Sequence, residues 1–270
     1  MMISIVIFFA FYLTFVGAIV LLGFFLNSKK VRAMASEKKI SASEITVLIP
    51  FRDEEERIHV LLKSIRNLNK FPKEIIFIND HSTDEGMNLI EKSLDNIPHI
   101  IMKAPAESHG KKLALRFATK KCSTKYILTW DADIYFKPDY FEQIEVLSEA
   151  DMYILPAVLT AESAMEYLYE IDVVLANAVN TGIAGLKRPI MASGANLLYK
   201  REVFNEVDDL DSHGHMASGD DTYLLRDFRN DNKDVRVVSG LECAVYTETP
   251  RSFLEFIDQR LRWLGKTTDI

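Results

Sequence analysis

Asp131 and Asp133 close the run Tyr126-Ile-Leu-Thr-Trp-Asp-Ala-Asp133, where an apolar, strand-like stretch gives way to two carboxylates at spacing two. Alternate side chains of an extended backbone share a face, so both carboxylates can point at one spot beyond the strand end. Oxygen ligands of that kind suit a hard cation such as Mg²⁺ or Mn²⁺. An ion held there could in turn hold a diphosphate. By itself the pattern also fits a polar loop with two solvated acids, so its weight depends on its surroundings.

The elements that must position these acids alternate. The pattern predicts strands at Ile45–Ile49 (closed by Pro50), Glu74–Ile78, His99–Met102 and Tyr126–Trp130. Helices are expected over 53–69, 84–94 and 110–121, the first with its opening turn crowded by Asp53, Glu54, Glu55 and Glu56. A β-α-β-α series implies an α/β fold with a mainly parallel sheet and helices on both faces. Ligands of such sheets bind beyond the carboxyl ends of the strands. Arg52 and Asp53 follow the first strand, Asn79 and Asp80 the second, and Asp131 and Asp133 the fourth. Any one of them could be a turn or a cap, as Ser82 and Asp84 are expected to be. After residue 150 the alternation loosens. A short strand is expected at 152–155 and a helix at 162–184. Beyond them lie the small-residue segment Ser193-Gly-Ala-Asn196 and Gly219-Asp-Asp221 ahead of a helix. A last helix at 251–264 carries Gln259, Arg260, Arg262 and Trp263.

Composition narrows the class. The chain has 270 residues, 48% of them apolar, enough for a sizeable core. A formal net charge of −7 argues against a nucleic-acid partner held by its phosphates. Cys122 and Cys243 form neither a disulfide framework nor a zinc-ligand pattern, which fits a reducing compartment. Met1 to Leu26 carry no charged side chain, a run long enough to cross a bilayer, and Lys29, Lys30 and Arg32 come directly after it. Basic residues on that flank place the rest of the chain on the cytoplasmic side. The expected organisation is a transmembrane anchor at 1–26, a polar linker at 27–44 and one α/β domain at 45–270, with a regular first half at 45–150 and a less regular second half at 151–270.

In series, the motifs resemble the family 2 glycosyltransferases of GT-A fold. They are Val47-Leu-Ile-Pro-Phe-Arg-Asp-Glu-Glu55, Ile78-Asn-Asp-His-Ser-Thr-Asp84, Gly110-Lys-Lys-Leu-Ala-Leu115 and Asp131-Ala-Asp133, then Gly194-Ala-Asn196, Gly219-Asp-Asp221 and Gln259-Arg-Leu-Arg-Trp263. The last is similar to a motif of the membrane-embedded branch that includes cellulose and hyaluronan synthases. The resemblance implies a catalytic domain that binds a UDP-sugar donor with Mg²⁺ or Mn²⁺ in its 45–150 half and the acceptor in its 151–270 half. It puts Pro50, Arg52, Asp53, Asp80, Lys111 and Asp131 on the donor, with Asp80 at the uracil, and Asp133 with Asp131 on the metal. Asp221 would be the base, with Asp220 beside it and Arg262 on the leaving group. Gly194, Ala195, Asn196, Gln259, Arg260 and Trp263 would line the acceptor and pyrophosphate side. Asn79, Gly219 and Asp220 depart from the usual residues of the family.

The resemblance further implies an inverting transfer, in one in-line displacement, to a saccharide or lipid-linked saccharide in surface polysaccharide synthesis at the cytoplasmic membrane. Further membrane segments are expected beyond Ile270, because the synthases continue past the Gln-x-x-Arg-Trp motif. Three rivals stand beside it: single-sugar transfer to a polyprenyl phosphate, which needs no such motif; a silent nucleotide-sugar-binding scaffold; and a metal phosphohydrolase. His81, His109, His213 and His215 read as loop residues, and the two cysteines as small buried side chains.

Overall fold

The computed structural model describes the backbone of residues 2–33, 38–105, 110–207 and 220–267, and the side chains within 14–29, 38–105, 110–207 and 221–261. Helix α1 spans Met2–Ala33. Strand β1 (Ile45–Phe51) leads to helix α2 (His59–Arg66), β2 (Glu74–Asn79), α3 (Gly86–Ser93), β3 (Ile100–Lys103), α4 (Lys111–Thr119) and β4 (Tyr126–Trp130). Next come β5 (Ile134–Phe136), α5 (Tyr140–Ile144), β6 (Met152–Ile154), β7 (Ala157–Thr160) and the long helix α6 (Ala164–Leu186). The chain continues through β8 (Asn196–Lys200), α7 (Arg201–Val207), α8 (Asp220–Asn230), β9 (Val235–Val237), β10 (Val245–Glu248) and α9 (Phe253–Thr267).

Seven strands form the main sheet in the order β3-β2-β1-β4-β8-β6-β9, and β5-β10-β7 form a smaller one. Strands β3, β2, β1 and β4 are mutually parallel, whereas β8 runs antiparallel to β4 and β6 on either side of it. Side-chain alternation sorts the core into two layers. Ile45, Val47, Ile49, Phe51, Leu128 and Trp130 face α2, α3 and α5, while Leu48 and Ile127 face α4, α7 and α8. The α/β expectation with a mostly parallel sheet therefore holds.

Two local expectations are corrected. Pro50 does not close β1, which runs on to Phe51. Its ladder with β4 has ended at Leu48, and Pro50 pairs only with Ile78 of β2, so a missing N–H is tolerated there. The helix expected from Asp53 begins only at His59. Asp53 takes a left-handed φ of 52°, and Asp53 and Glu55 bond to the loop after β2 instead of opening a helix of their own. Asp53 Oδ1 accepts from Thr83 N at 2.7 Å, and Glu55 N donates to Asp84 Oδ2 at 2.7 Å.

Of the stretch 27–44, residues up to Ala33 belong to α1, and Ile40 and Ala42 are buried in the core. Asn27 is buried and donates to the Val237 carbonyl at 3.0 Å, which ties α1 to the main sheet. Higher up, α1 lies against α6 with backbones nearly touching, because a side chain at Gly23 or Gly185 would strike the backbone of the other helix. Among the described residues no helix is long and apolar enough to cross a membrane.

Candidate active site

The carboxyl ends of β1, β2 and β4 and the start of β8 meet at one edge of the main sheet, because the antiparallel β8 pairs Asn196 with Trp130. Residues far apart in the sequence therefore share that edge: Glu54 and Arg57 after β1, Asp80 after β2, Asp131 and Asp133 after β4, and Gly194 before β8.

Asp80 is almost wholly buried. Its Oδ2 accepts from Gly110 N at 2.9 Å, and its Oδ1 is buried with no hydrogen bond among the described residues. The loop that holds it is bent tightly. Asn79 Oδ1 accepts from Ser82 N at 2.7 Å, and His81 has a left-handed φ of 64°. Gly110, at φ 100°, turns the chain into α4, so the next residue, Lys111, reaches Asp131 Oδ1. Arg57 bridges Asp133 and Glu54, with Nη1 3.5 Å from Asp133 Oδ2 and Nη2 2.7 Å from Glu54 Oε2. Burial, and then the neighbouring Asp131, push the Asp133 carboxyl above its ordinary range. Burial does the same to Glu54, opposed by Arg57 and reinforced by Asp133. An anionic cluster so poorly solvated favours cations.

Asp131 and Asp133 offer hard oxygen donors. Among the described residues no set of three His, Cys, Asp or Glu side chains converges on a possible ion. Two carboxylates fit a hard divalent ion that draws its other ligands from substrate phosphates and water, the usual arrangement for Mg²⁺.

On the far side of β4, Asp221 opens α8. Its Oδ2 accepts from Gly194 N at 3.1 Å and its Oδ1 from Thr222 N at 2.8 Å. Thr129 Oγ1 donates to the Gly194 carbonyl at 2.9 Å, so β4 fixes the loop that carries Asp221's partner. Lys112, Arg116, Thr129, Gly194 and Asp221 line a cavity of about 30 Å³, room for about one water.

Other expected site residues stand elsewhere. Pro50 is buried inside β1. Arg52 is exposed and pairs with Asp53 at 3.8 Å, and Asp53 braces the loop after β2. Ala195 is buried. Asn196, expected toward the acceptor, is fully buried. Its amide donates to the Pro156 and Cys243 carbonyls, and its Oδ1 accepts from Tyr140. Arg260 pairs with Asp172 of α6, and Phe256 stacks on Tyr169 at 4.2 Å, so α9 docks on α6. Gln259 Oε1 is buried in that region. The side chains of Asp220, Arg262 and Trp263, and all of Gly219, His109, His213 and His215, lie outside the described residues. Glu54, Arg57, Lys112 and Arg116 join the site without having been expected there. The spacing of three between Glu54 and Arg57 was the available signal.

The fold recurs among solved structures. A mannosyltransferase, PcManGT from Pyrobaculum calidifontis in complex with GDP-Man and Mn²⁺, superposes with a TM-score of 0.62 at 13% identity, covering 94% of this chain and 74% of that one. TarS 1-349 of S. aureus in complex with UDP-GlcNAc gives a TM-score of 0.52 at 15% identity, covering 78% of this chain and 60% of that one. Among curated proteins, a poly-beta-1,6-N-acetyl-D-glucosamine synthase of Staphylococcus aureus (strain COL) is 36% identical over 95 residues, 35% of this chain. A 4,4'-diaponeurosporenoate glycosyltransferase of Staphylococcus aureus (strain bovine RF122 / ET3-1) is 28% identical over 114 residues, 42% of this chain. The matched stretches span only 23% and 30% of those two relatives. The model of the family described as "Glycosyl transferase family 2" matches residues 46–207, from β1 to the end of α7, and with the GT-A fold and its acid-lined strand ends this chain belongs to that family.

Proposed function

We propose that the protein is an inverting glycosyltransferase that moves a sugar from a UDP-sugar to a saccharide or lipid-linked saccharide. The observation that carries this reading is the cluster at the sheet edge: a buried Asp80 whose Oδ1 accepts no hydrogen bond among the described residues and lies 4.0 Å from His81 Nε2, and the pair Asp131 and Asp133 beside Lys111. Asp80 Oδ1 suits the ring N–H of a uracil. Asp131 and Asp133 would hold Mg²⁺ or Mn²⁺ together with the donor diphosphate, and the ion would neutralise charge on the departing nucleotide. Lys111 adds a fixed positive charge beside the same diphosphate.

Asp221 is the proposed base. Its carboxylate is oriented by two backbone N–H groups, from Gly194 and Thr222, and borders the cavity behind β4. It takes the acceptor hydroxyl's proton as that oxygen attacks the anomeric carbon and the bond to the nucleotide breaks. Arg262 and Trp263 of α9 would close the acceptor side. The uncharged run 1–26 would anchor the chain in the cytoplasmic membrane with the catalytic domain on the cytoplasmic face. A relative named as a poly-beta-1,6-N-acetyl-D-glucosamine synthase supports a saccharide acceptor.

Calorimetry of UDP and GDP, with and without Mn²⁺, on the wild type and on Asp133→Asn tests the donor site. We expect Mn²⁺-dependent UDP binding that weakens about 100-fold in the variant, the scale of losing one preorganised electrostatic partner. Equal binding by the variant would remove Asp133 from the site, and tighter GDP binding would change the donor.

A further inference from the structure

Each carboxylate of the Asp131/Asp133 pair already holds a cation from the chain itself. Lys111 sits on Asp131. Arg57 sits on Asp133 with one arm of its guanidinium and on Glu54 with the other. The two attachments differ. Glu54 has 18% of its side chain exposed and makes the shorter contact, at 2.7 Å; Asp133 is reached at 3.5 Å. Arg57 itself is 56% exposed and lies in the turn between β1 and α2, ahead of the rigid helix. It can therefore leave Asp133, swing toward solvent and keep its hold on Glu54.

We propose that Arg57 is a displaceable counter-cation: it neutralises Asp133 while the donor site is empty and yields that carboxylate to the divalent ion. This rests on the reading of Asp131 and Asp133 as the ion's ligands. Two carboxylates side by side repel each other, and a guanidinium on one of them relieves that repulsion. An ion arriving alone must compete with that guanidinium and offers the protein no other gain. An ion arriving with a diphosphate brings its own oxygen ligands and negative charge, which also attract the freed Arg57 and Lys111. Metal and nucleotide consequently bind as a coupled pair, each raising the affinity of the other by the same factor. Arg57 is thus a positioning residue that sets this coupling.

The test measures Mn²⁺ binding without turnover, from the electron paramagnetic resonance of the free ion. Wild type, Arg57→Ala, Arg57→Gln and Asp133→Asn are compared with and without UDP. Arg57→Gln keeps most of the stem, and circular dichroism confirms that each variant is folded. We expect both Arg57 variants to bind Mn²⁺ alone about ten-fold more tightly, the scale expected when one nearby positive charge is removed from a partly exposed site. The factor by which UDP improves Mn²⁺ binding should fall correspondingly. Unchanged or weaker Mn²⁺ affinity in both Arg57 variants, while Asp133→Asn abolishes binding, would overturn the role of Arg57 and leave the metal site standing. Mn²⁺ binding by Asp133→Asn equal to wild type would overturn the metal site itself.

Discussion

Asn196 holds the two sheets together without touching solvent. Its side chain bonds the Pro156 and Cys243 carbonyls and receives the Tyr140 hydroxyl. Asn196→Ala leaves the Cys243 carbonyl and the Tyr140 hydroxyl short of a partner, whereas the Pro156 carbonyl keeps Val245 N at 3.0 Å, and the cost is about 1–3 kcal/mol. The urea midpoint should fall with little change in the slope of the transition, and an unchanged midpoint would mean that water replaces the amide. The same residue shows what the sequence conceals. Its place in the Gly194-Ala-Asn196 motif suggested a ligand contact, but its side chain is taken up by Tyr140 of α5 and by the carbonyls ahead of β7 and β10, distant partners that no local pattern reports. The place of Asp131 and Asp133 just beyond the end of β4 was legible because a strand end is a local feature. Arg57 was not, since its contact with Asp133 exists only once β1 and β4 lie side by side.

At the scale of elements, the strands were more legible than the helices. Apolar runs such as Ile45–Ile49 and Tyr126–Trp130 have no alternative to burial on both faces. The first helix was overextended because four consecutive acids look like a helix start, whereas in the fold Asp53 and Glu55 brace the neighbouring loop. Another acid couples strands directly. Asp151, ahead of β6, accepts from Lys200 of β8 at 2.9 Å and from Asp234 N, ahead of β9, at 2.9 Å. Burial opposes its ionisation, but the Lys200 ammonium and the Asp234 N–H outweigh it and hold the carboxyl below its ordinary value of 3.8. A lowered folded-state value contributes stability above the unfolded-state value, and that stability is lost as pH falls through the folded one. Asp151→Asn should therefore cost about 1 kcal/mol at pH 7. Its gap to wild type should close below about pH 3.8 when unfolding is tracked against pH. A gap independent of pH would assign the loss to packing.

Across the whole molecule, apolar side chains reach the surface on one set of helices. Phe15, Leu21, Leu22 and Phe25 of α1 are exposed, as are Leu168, Ile171 and Leu175 of α6 and Phe253, Leu254 and Leu261 of α9. So much exposed apolar surface calls for a non-aqueous partner, and the uncharged run at 1–26 makes a bilayer the proposed one. The full chain should stay with membranes through a carbonate wash, and release into the soluble fraction would remove the anchor from the proposal. The main sheet carries a different consequence, for synthesis on the ribosome. Strands β1 to β4 are complete early, yet β4 takes its other neighbour from β8, and Thr129 bonds Gly194 across 65 residues of chain. At about 5–20 residues per second that edge of β4 waits on the order of ten seconds for its partner. During that interval the emerging chain presents an unpaired, apolar strand to its neighbours, and slow translation after residue 130 would lengthen the exposure to misassembly.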